Sequence, residues 1–192
     1  MSKWYEPYDS PEEAYVSWYL DELVEAGYVE DYVPQPKSFT LSEKGSFAWE
    51  KVLKTKSKRM SSTLIQGHIY TPDFLIDWDR EANGLFFKNL LFAGENSKYA
   101  MFANRRDGPL VYYTYIEVKS IFDRNNMTRL FTINQKWMYD KYGIYVQKVI
   151  PQKLFEQTFT PERYLLTDMG KQKRKLTFTP RTLGEYIKSR ES

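Results

Sequence analysis

The run Leu110-Val111-Tyr112-Tyr113-Thr114-Tyr115-Ile116-Glu117-Val118 constrains this chain more than any other stretch. β-Branched and aromatic residues dominate it, which marks a strand packed into a sheet. Side chains two apart share a strand face, so Tyr113, Tyr115, Glu117 and Lys119 line one side while Ile116 and Val118 face the other. A carboxylate and an ammonium at the end of so apolar a strand are costly to bury unless they pair or meet a cation. A salt-bridged sheet edge would satisfy the same residues, and Glu-x-Lys by itself is a common pattern.

Helices flank this strand in the sequence. Ser10 can cap a first helix, Pro11 suits its first position, and Glu13 can close a capping box. Val16, Leu20, Leu23 and Val24 follow at helical spacing until Gly27. Met127, Leu130, Phe131, Asn134, Trp137, Met138 and Lys141 trace one face of a second helix, closed by Gly143, with Trp137 and Met138 read as core. Between them, residues 35–41 read as a loop entering a strand, Lys51–Met60 as a surface helix end or loop, and Leu64–Trp78 as β. Gly84–Phe92 and Lys98–Ala103 are further strand candidates, Asn104–Pro109 a turn, and Ile144–Ile150 a strand. The tail holds a short strand, Lys175–Phe178, and a weak helix, Thr182–Arg190. The expected fold is α/β, a mixed sheet flanked by helices.

Residue usage narrows the chemistry. There is no Cys and a single histidine, His68, which excludes disulfide scaffolds, zinc–thiolate sites, thiol catalysis and multi-histidine metal centres. His68 is expected as a packed or hydrogen-bonding residue. No run of about 18 apolar residues exists, so no membrane span is expected, and Met1–Glu6 lacks an apolar leader, so the expected location is cytoplasmic. The net charge of +3 conceals an asymmetry: residues 1–31 carry one Lys against nine Asp or Glu, a net of −8, leaving +11 on the rest. Two basic clusters stand out, Lys51, Lys54, Lys56, Lys58 and Arg59, then Lys171, Lys173, Arg174 and Lys175. Such clusters are solvated surface or contacts for a polyanion.

A second carboxylate lies upstream. Tyr70-Thr71-Pro72-Asp73-Phe74-Leu75-Ile76 places an Asp just after a proline in an otherwise apolar strand. Strand propensity and burial both disfavour it there, so a compensating partner is expected; the plainer alternative is a strand end or turn cap.

Pro72-Asp73 followed by Glu117-Val118-Lys119 resembles the PD-(D/E)XK nuclease signature. His68-x-Tyr70-Thr71-Pro72-Asp73-Phe74-Leu75 is similar to a stretch of the phage endonuclease I family, which resolves Holliday junctions. Ser10-x-x-Glu13, Gly27, Gln35-Pro36 and Phe39-x-Leu41 look like small phage-encoded nucleases and transposon-end nuclease subunits. The resemblance covers about residues 10–151 and departs at the 43 residues between Asp73 and Glu117, where compact members turn a short hairpin.

It implies a restriction-endonuclease-like core over residues 1–151, with a β-rich insertion at about 80–110, and a basic extension over 152–192 packed on or trailing the core. The implied activity is that of a Mg²⁺- or Mn²⁺-dependent DNA endonuclease, phage or mobile-element encoded and acting on branched DNA as a homodimer. Asp73, Glu117, the Val118 carbonyl and the helix-borne Glu13 would hold the metal, with Glu12 as the alternative to Glu13. Lys119 would position or help deprotonate the attacking water. Gln35 is either an orienting group for Glu13 or a plain loop amide. Lys54, Lys56, Lys58, Arg59, Arg105, Arg106, Lys136, Lys173, Arg174 and Lys175 are the candidate DNA contacts. The competing expectation is a catalytically inactive DNA-binding or assembly protein on the same fold.

Overall fold

Ser10 caps the first helix as expected, but the Glu13 carboxylate answers the Ser10 hydroxyl and the Asp9 N–H rather than the Ser10 N–H of a capping box. In a computed structural model describing residues 3–89, 101–106, 111–122, 127–168 and 170–191, helix α1 spans Pro11–Glu25. The Glu13 N–H donates to Ser10 Oγ at 3.2 Å, and that hydroxyl donates to Glu13 Oε1 at 2.6 Å. The helix closes where Gly27 turns left-handed (φ +80°), letting the Gly27 and Tyr28 N–H groups bond the Val24 and Leu23 carbonyls. Val16, Tyr19, Leu20 and Leu23 are buried, whereas Val24 lies 39% exposed, off the stripe expected for it.

The principal sheet is mixed. Strands β1 (Val29–Pro34), β6 (Phe74–Trp78) and β9 (Tyr112–Val118) run antiparallel in that order. The far edge of β9 is shared: β8 (Met101–Arg105) pairs antiparallel with Tyr112 and Tyr113, and β10 (Val146–Val149) pairs parallel with Tyr115–Val118. Asn104 joins these two partners, donating to the Tyr145 carbonyl at 3.0 Å and accepting its N–H at 2.9 Å. Strand β7 (Phe87–Asn89) lies parallel to β8 at the edge. Two small sheets stand apart, β2 (Phe39–Ser42) with β5 (His68–Tyr70), and β3 (Gly45–Val52) with β4 (Ser57–Ile65).

Alternation sends the two sheet faces into two cores. Phe74, Ile76, Trp78, Ile116 and Val118 pack with α1 in the larger cluster. Tyr115 and Val146 join Phe39, Leu41 and Tyr70 beneath Phe131 and Met138 of α2 (Met127–Tyr142) in the smaller one. The result is a mixed sheet with helices on both faces, and among the described residues no helix is long and apolar enough to cross a membrane. After β10 come α3 (Pro151–Gln157), a 3₁₀ turn at Glu162–Leu165, and α4 (Leu183–Glu191). Leu154, Phe155, Tyr164 and Tyr186 of these elements, and Phe159 between α3 and the 3₁₀ turn, enter the larger cluster, with the Phe159 ring stacked on Tyr19 at 4.4 Å.

Several elements differ from the sequence expectation, each for a tertiary reason. Lys51–Met60 is not a helix end; a loop holds only for residues 53–56, the turn of the β3–β4 ribbon, and the rest is strand. Its side chains are almost all exposed, so no hydrophobic alternation marks it. Strand β1 went unforeseen because it is an edge strand with only Val29 buried. Lys175–Phe178 forms no strand, and α3 rises from Pro151, where the sequence suggested no helix. Trp137 and Leu130 are 42% and 43% exposed, leaving Phe131, Asn134 and Met138 as the buried face of α2. Asn104 and Arg105 belong to β8 rather than to a turn. Residues 90–92, 98–100 and 107–110, parts of the expected strands, turn and insertion, lie outside the described residues.

Candidate active site

Asp73 and Glu117 meet because β6 and β9 are paired in one register. Phe74 stands opposite Ile116, and the Asp73 N–H extends the ladder by donating to the Ile116 carbonyl at 3.0 Å. Just beyond the last paired rung, Asp73 and Glu117 come close enough to repel each other, and Glu13 at the start of α1 adds to that repulsion. Asp73 Oδ2 accepts the Val118 N–H at 2.6 Å. Its backbone carbonyl accepts the N–H of Gln35 at 2.8 Å. Gln35 itself sits at φ +45°, a conformation L-residues seldom adopt, just before Pro36.

Glu117 is held from two sides. Lys119 Nζ lies 2.6 Å from Oε1, and the Tyr70 hydroxyl donates to Oε2 at 2.7 Å. The Glu117 and Lys119 side chains are only 12% and 20% exposed. Glu13 is buried at the start of α1, its Oε2 also accepting the Asp9 N–H at 3.3 Å, while Glu12 is half-buried. The Gln35 amide reaches this carboxylate only through Asp9, donating to Asp9 Oδ2 at 2.7 Å.

Crowding governs the electrostatics. Burial, and then the Glu117 charge, push the Asp73 carboxyl up to about 7; Glu13 adds to the rise, while the Val118 N–H and Lys119 oppose it. Burial also raises Glu13 against the Ser10 and Asp9 hydrogen bonds, with Asp9 and Glu117 adding repulsion. Burial and the adjacent Glu117 charge hold the Tyr70 phenol in its protonated, donating form. Among the described residues no group of three or more acidic or histidine side chains forms a cage for a metal ion. Asp73 and Glu117 are nevertheless two oxygen donors whose mutual repulsion a hard divalent cation would relieve, which fits the preferences of Mg²⁺.

The candidate DNA contacts are dispersed. Lys54, Lys56, Lys58 and Arg59 are exposed on the β3–β4 ribbon, and Arg105 is exposed at the end of β8. Lys136, on α2, and Lys173 and Lys175 are also exposed. Arg106 pairs with Asp77 at 3.1 Å and lies over the Tyr113 ring. Arg174 is engaged internally: it bonds Asp168 and the Tyr164 carbonyl and lies over the Tyr15 and Tyr164 rings. Gln135 turns inward to the Val146 carbonyl, and His68 bonds Asn134 at 2.8 Å.

Tyr70 escaped sequence reasoning, because its hydroxyl reaches Glu117 only through the Thr71-Pro72 turn between β5 and β6. A phenol three residues before the Asp is the sole trace of it in the sequence. Comparison with known proteins finds no matching family model, no matching curated protein and no matching solved structure.

Proposed function

We propose that this chain is a divalent-metal-dependent DNA endonuclease of the PD-(D/E)XK type, a phosphodiester hydrolase. The observation that carries this reading is the convergence of Asp73, just before β6, and Glu117, on β9, close enough to repel each other, with Asp73 bound to the Val118 N–H and the Lys119 ammonium against Glu117. The succession α1, β1, β6, β9, α2 and β10 supports it as well: the Lys136-bearing helix and the β10 strand follow Glu-x-Lys, as the segment after that motif does in the family the sequence resembles.

Asp73, Glu117 and the Val118 carbonyl would hold Mg²⁺ or Mn²⁺, with Glu13 facing the same acidic centre. A bound divalent cation neutralises phosphate charge and lowers the pKa of water. The chain's own groups do the rest. Val118 N–H fixes the Asp73 carboxylate, and Tyr70 fixes Glu117. Lys119 is the cationic donor at the pair among the described residues, suited to orient a water nucleophile and to stabilise charge on a phosphate oxygen.

A second reading, an inactive nuclease-fold DNA-binding or assembly protein, draws on Glu117, both of whose oxygens already have partners. One experiment separates the two. Mg²⁺ or Mn²⁺ is titrated against cruciform, nicked and linear DNA, and products are resolved on a denaturing gel. The enzyme requires metal-dependent cutting that Asp73→Asn and Lys119→Ala each reduce by roughly 10²-fold or more while DNA binding persists. No cleavage of any substrate under either metal would leave the binding protein. Preferential cutting of the cruciform by a dimer would identify the branched-DNA, phage or mobile-element type.

A further inference from the structure

The β3–β4 ribbon carries groups that the candidate active site does not use. Its register places Phe47, Trp49 and Lys51 on one face with Lys58, Met60 and Ser62, and Glu50 on the other face opposite Arg59. Phe47 and Trp49 are 47% and 40% exposed. The indole N–H of Trp49 donates to Ser62 Oγ at 2.8 Å, which holds the ring against the ribbon. Lys51 stands directly opposite Lys58, an arrangement that destabilises an antiparallel pair. Past them the turn, closed by Leu53 N–H on the Lys56 carbonyl at 2.8 Å, adds exposed Lys54 and Lys56.

Charge is thus complemented on one face and left uncompensated on the face that bears the aromatic rings. A two-stranded ribbon is marginal in water, and an opposed lysine pair weakens it further, so an anion on this face is the missing complement. A polyanion that also has flat apolar faces answers both features. In duplex DNA the base faces are stacked away, and groove recognition uses polar side chains on base edges. Exposed rings two residues apart beside lysines instead match a strand whose bases are unstacked.

We propose that the β3–β4 ribbon is an arm that binds an unpaired DNA strand, its bases stacking on Trp49 and Phe47 and its phosphates meeting Lys51 and Lys58. The choice of DNA rests on the nuclease reading; the binding chemistry does not. A second copy of the chain is the disfavoured occupant, because paired arms would bring two clusters of five cations together.

The test is fluorescence anisotropy of a labelled 20-nucleotide oligo(dT) and of a blunt duplex of equal length, with the full chain in EDTA so that cleavage cannot contribute. The oligonucleotide is expected to bind more tightly than the duplex. Trp49→Ala should weaken oligonucleotide binding roughly tenfold or more. Trp49→Phe, which keeps a ring, and Ser62→Ala, which removes only the hydrogen bond, should stay within a few-fold of the parent. Lys51→Ala with Lys58→Ala should reduce the salt slope by about 1.4. Equal affinity of Trp49→Ala and parent, tighter binding of the duplex, or a Trp49-dependent dimer in sedimentation would each overturn the proposal. Binding by the arm without metal-dependent cutting would remove the nuclease reading and leave the arm standing; cutting with an indifferent Trp49 would do the reverse.

Discussion

Asp73 concentrates the tension in this molecule. Its carboxyl is raised from 3.8 to about 7, chiefly by burial and then by Glu117, so between these values the folded state binds a proton that the unfolded state releases. The stability contributed by the neutral acid is therefore present in full below about pH 4 and is lost as pH climbs through 7. Asp73→Asn retains an oxygen for the Val118 N–H and removes the charge. Without metal it should stabilise the protein at pH 8 by about 1–3 kcal/mol, and hardly at all at pH 4. Urea denaturation in EDTA at the two pH values measures this, and destabilisation at pH 8 would refute the assignment of crowding as the cause. Asp73 was conspicuous in the sequence because an acid after Pro72 in an apolar strand has no local justification. Tyr70 was invisible because nothing local relates a phenol at the end of β5 to a carboxylate 47 residues away.

Elements whose determinants are short-range followed the sequence closely. Helix α1 begins at its Ser-Pro-Glu-Glu cap and ends at the Gly27 closure as written. Space around Gly27 is open, so a methyl group there meets no neighbour and only its left-handed backbone opposes substitution. Gly27→Ala should cost about 1–2 kcal/mol of stability in a thermal or urea melt. A neutral substitution would mean that the closing turn adapts freely. Elements with little buried surface escaped notice. The β3–β4 ribbon and β1 show their strand character only in pairing, since pairing satisfies backbone groups whatever the side chains are. Sequence periodicity reports burial rather than pairing, so an exposed ribbon leaves no periodic trace.

At the scale of the whole molecule, the chain after β10 completes the larger core instead of standing outside it. Tyr186, on α4, is 3% exposed, touches Phe86, and donates to the Leu85 carbonyl at 2.8 Å. Truncating it should cost about 3–5 kcal/mol, read as a lower denaturation midpoint for Tyr186→Ala in one cooperative transition. A separate early transition, with the remaining core unaffected, would show that the C-terminal segment folds independently.

Sequence alone determined the facing of residues within their own elements. The cap and closure of α1, the alternation along β9, and the shared face of Glu117 and Lys119 all depend on neighbours a few positions apart. Tertiary structure decided the rest. The β6–β9 pairing that brings Asp73 near Glu117, the turn that brings Tyr70 to Glu117, and the internal engagement of Arg174 join residues far apart in the chain. Such pairings are selected by how whole faces pack, because sliding a strand by one residue would exchange its buried and exposed sides.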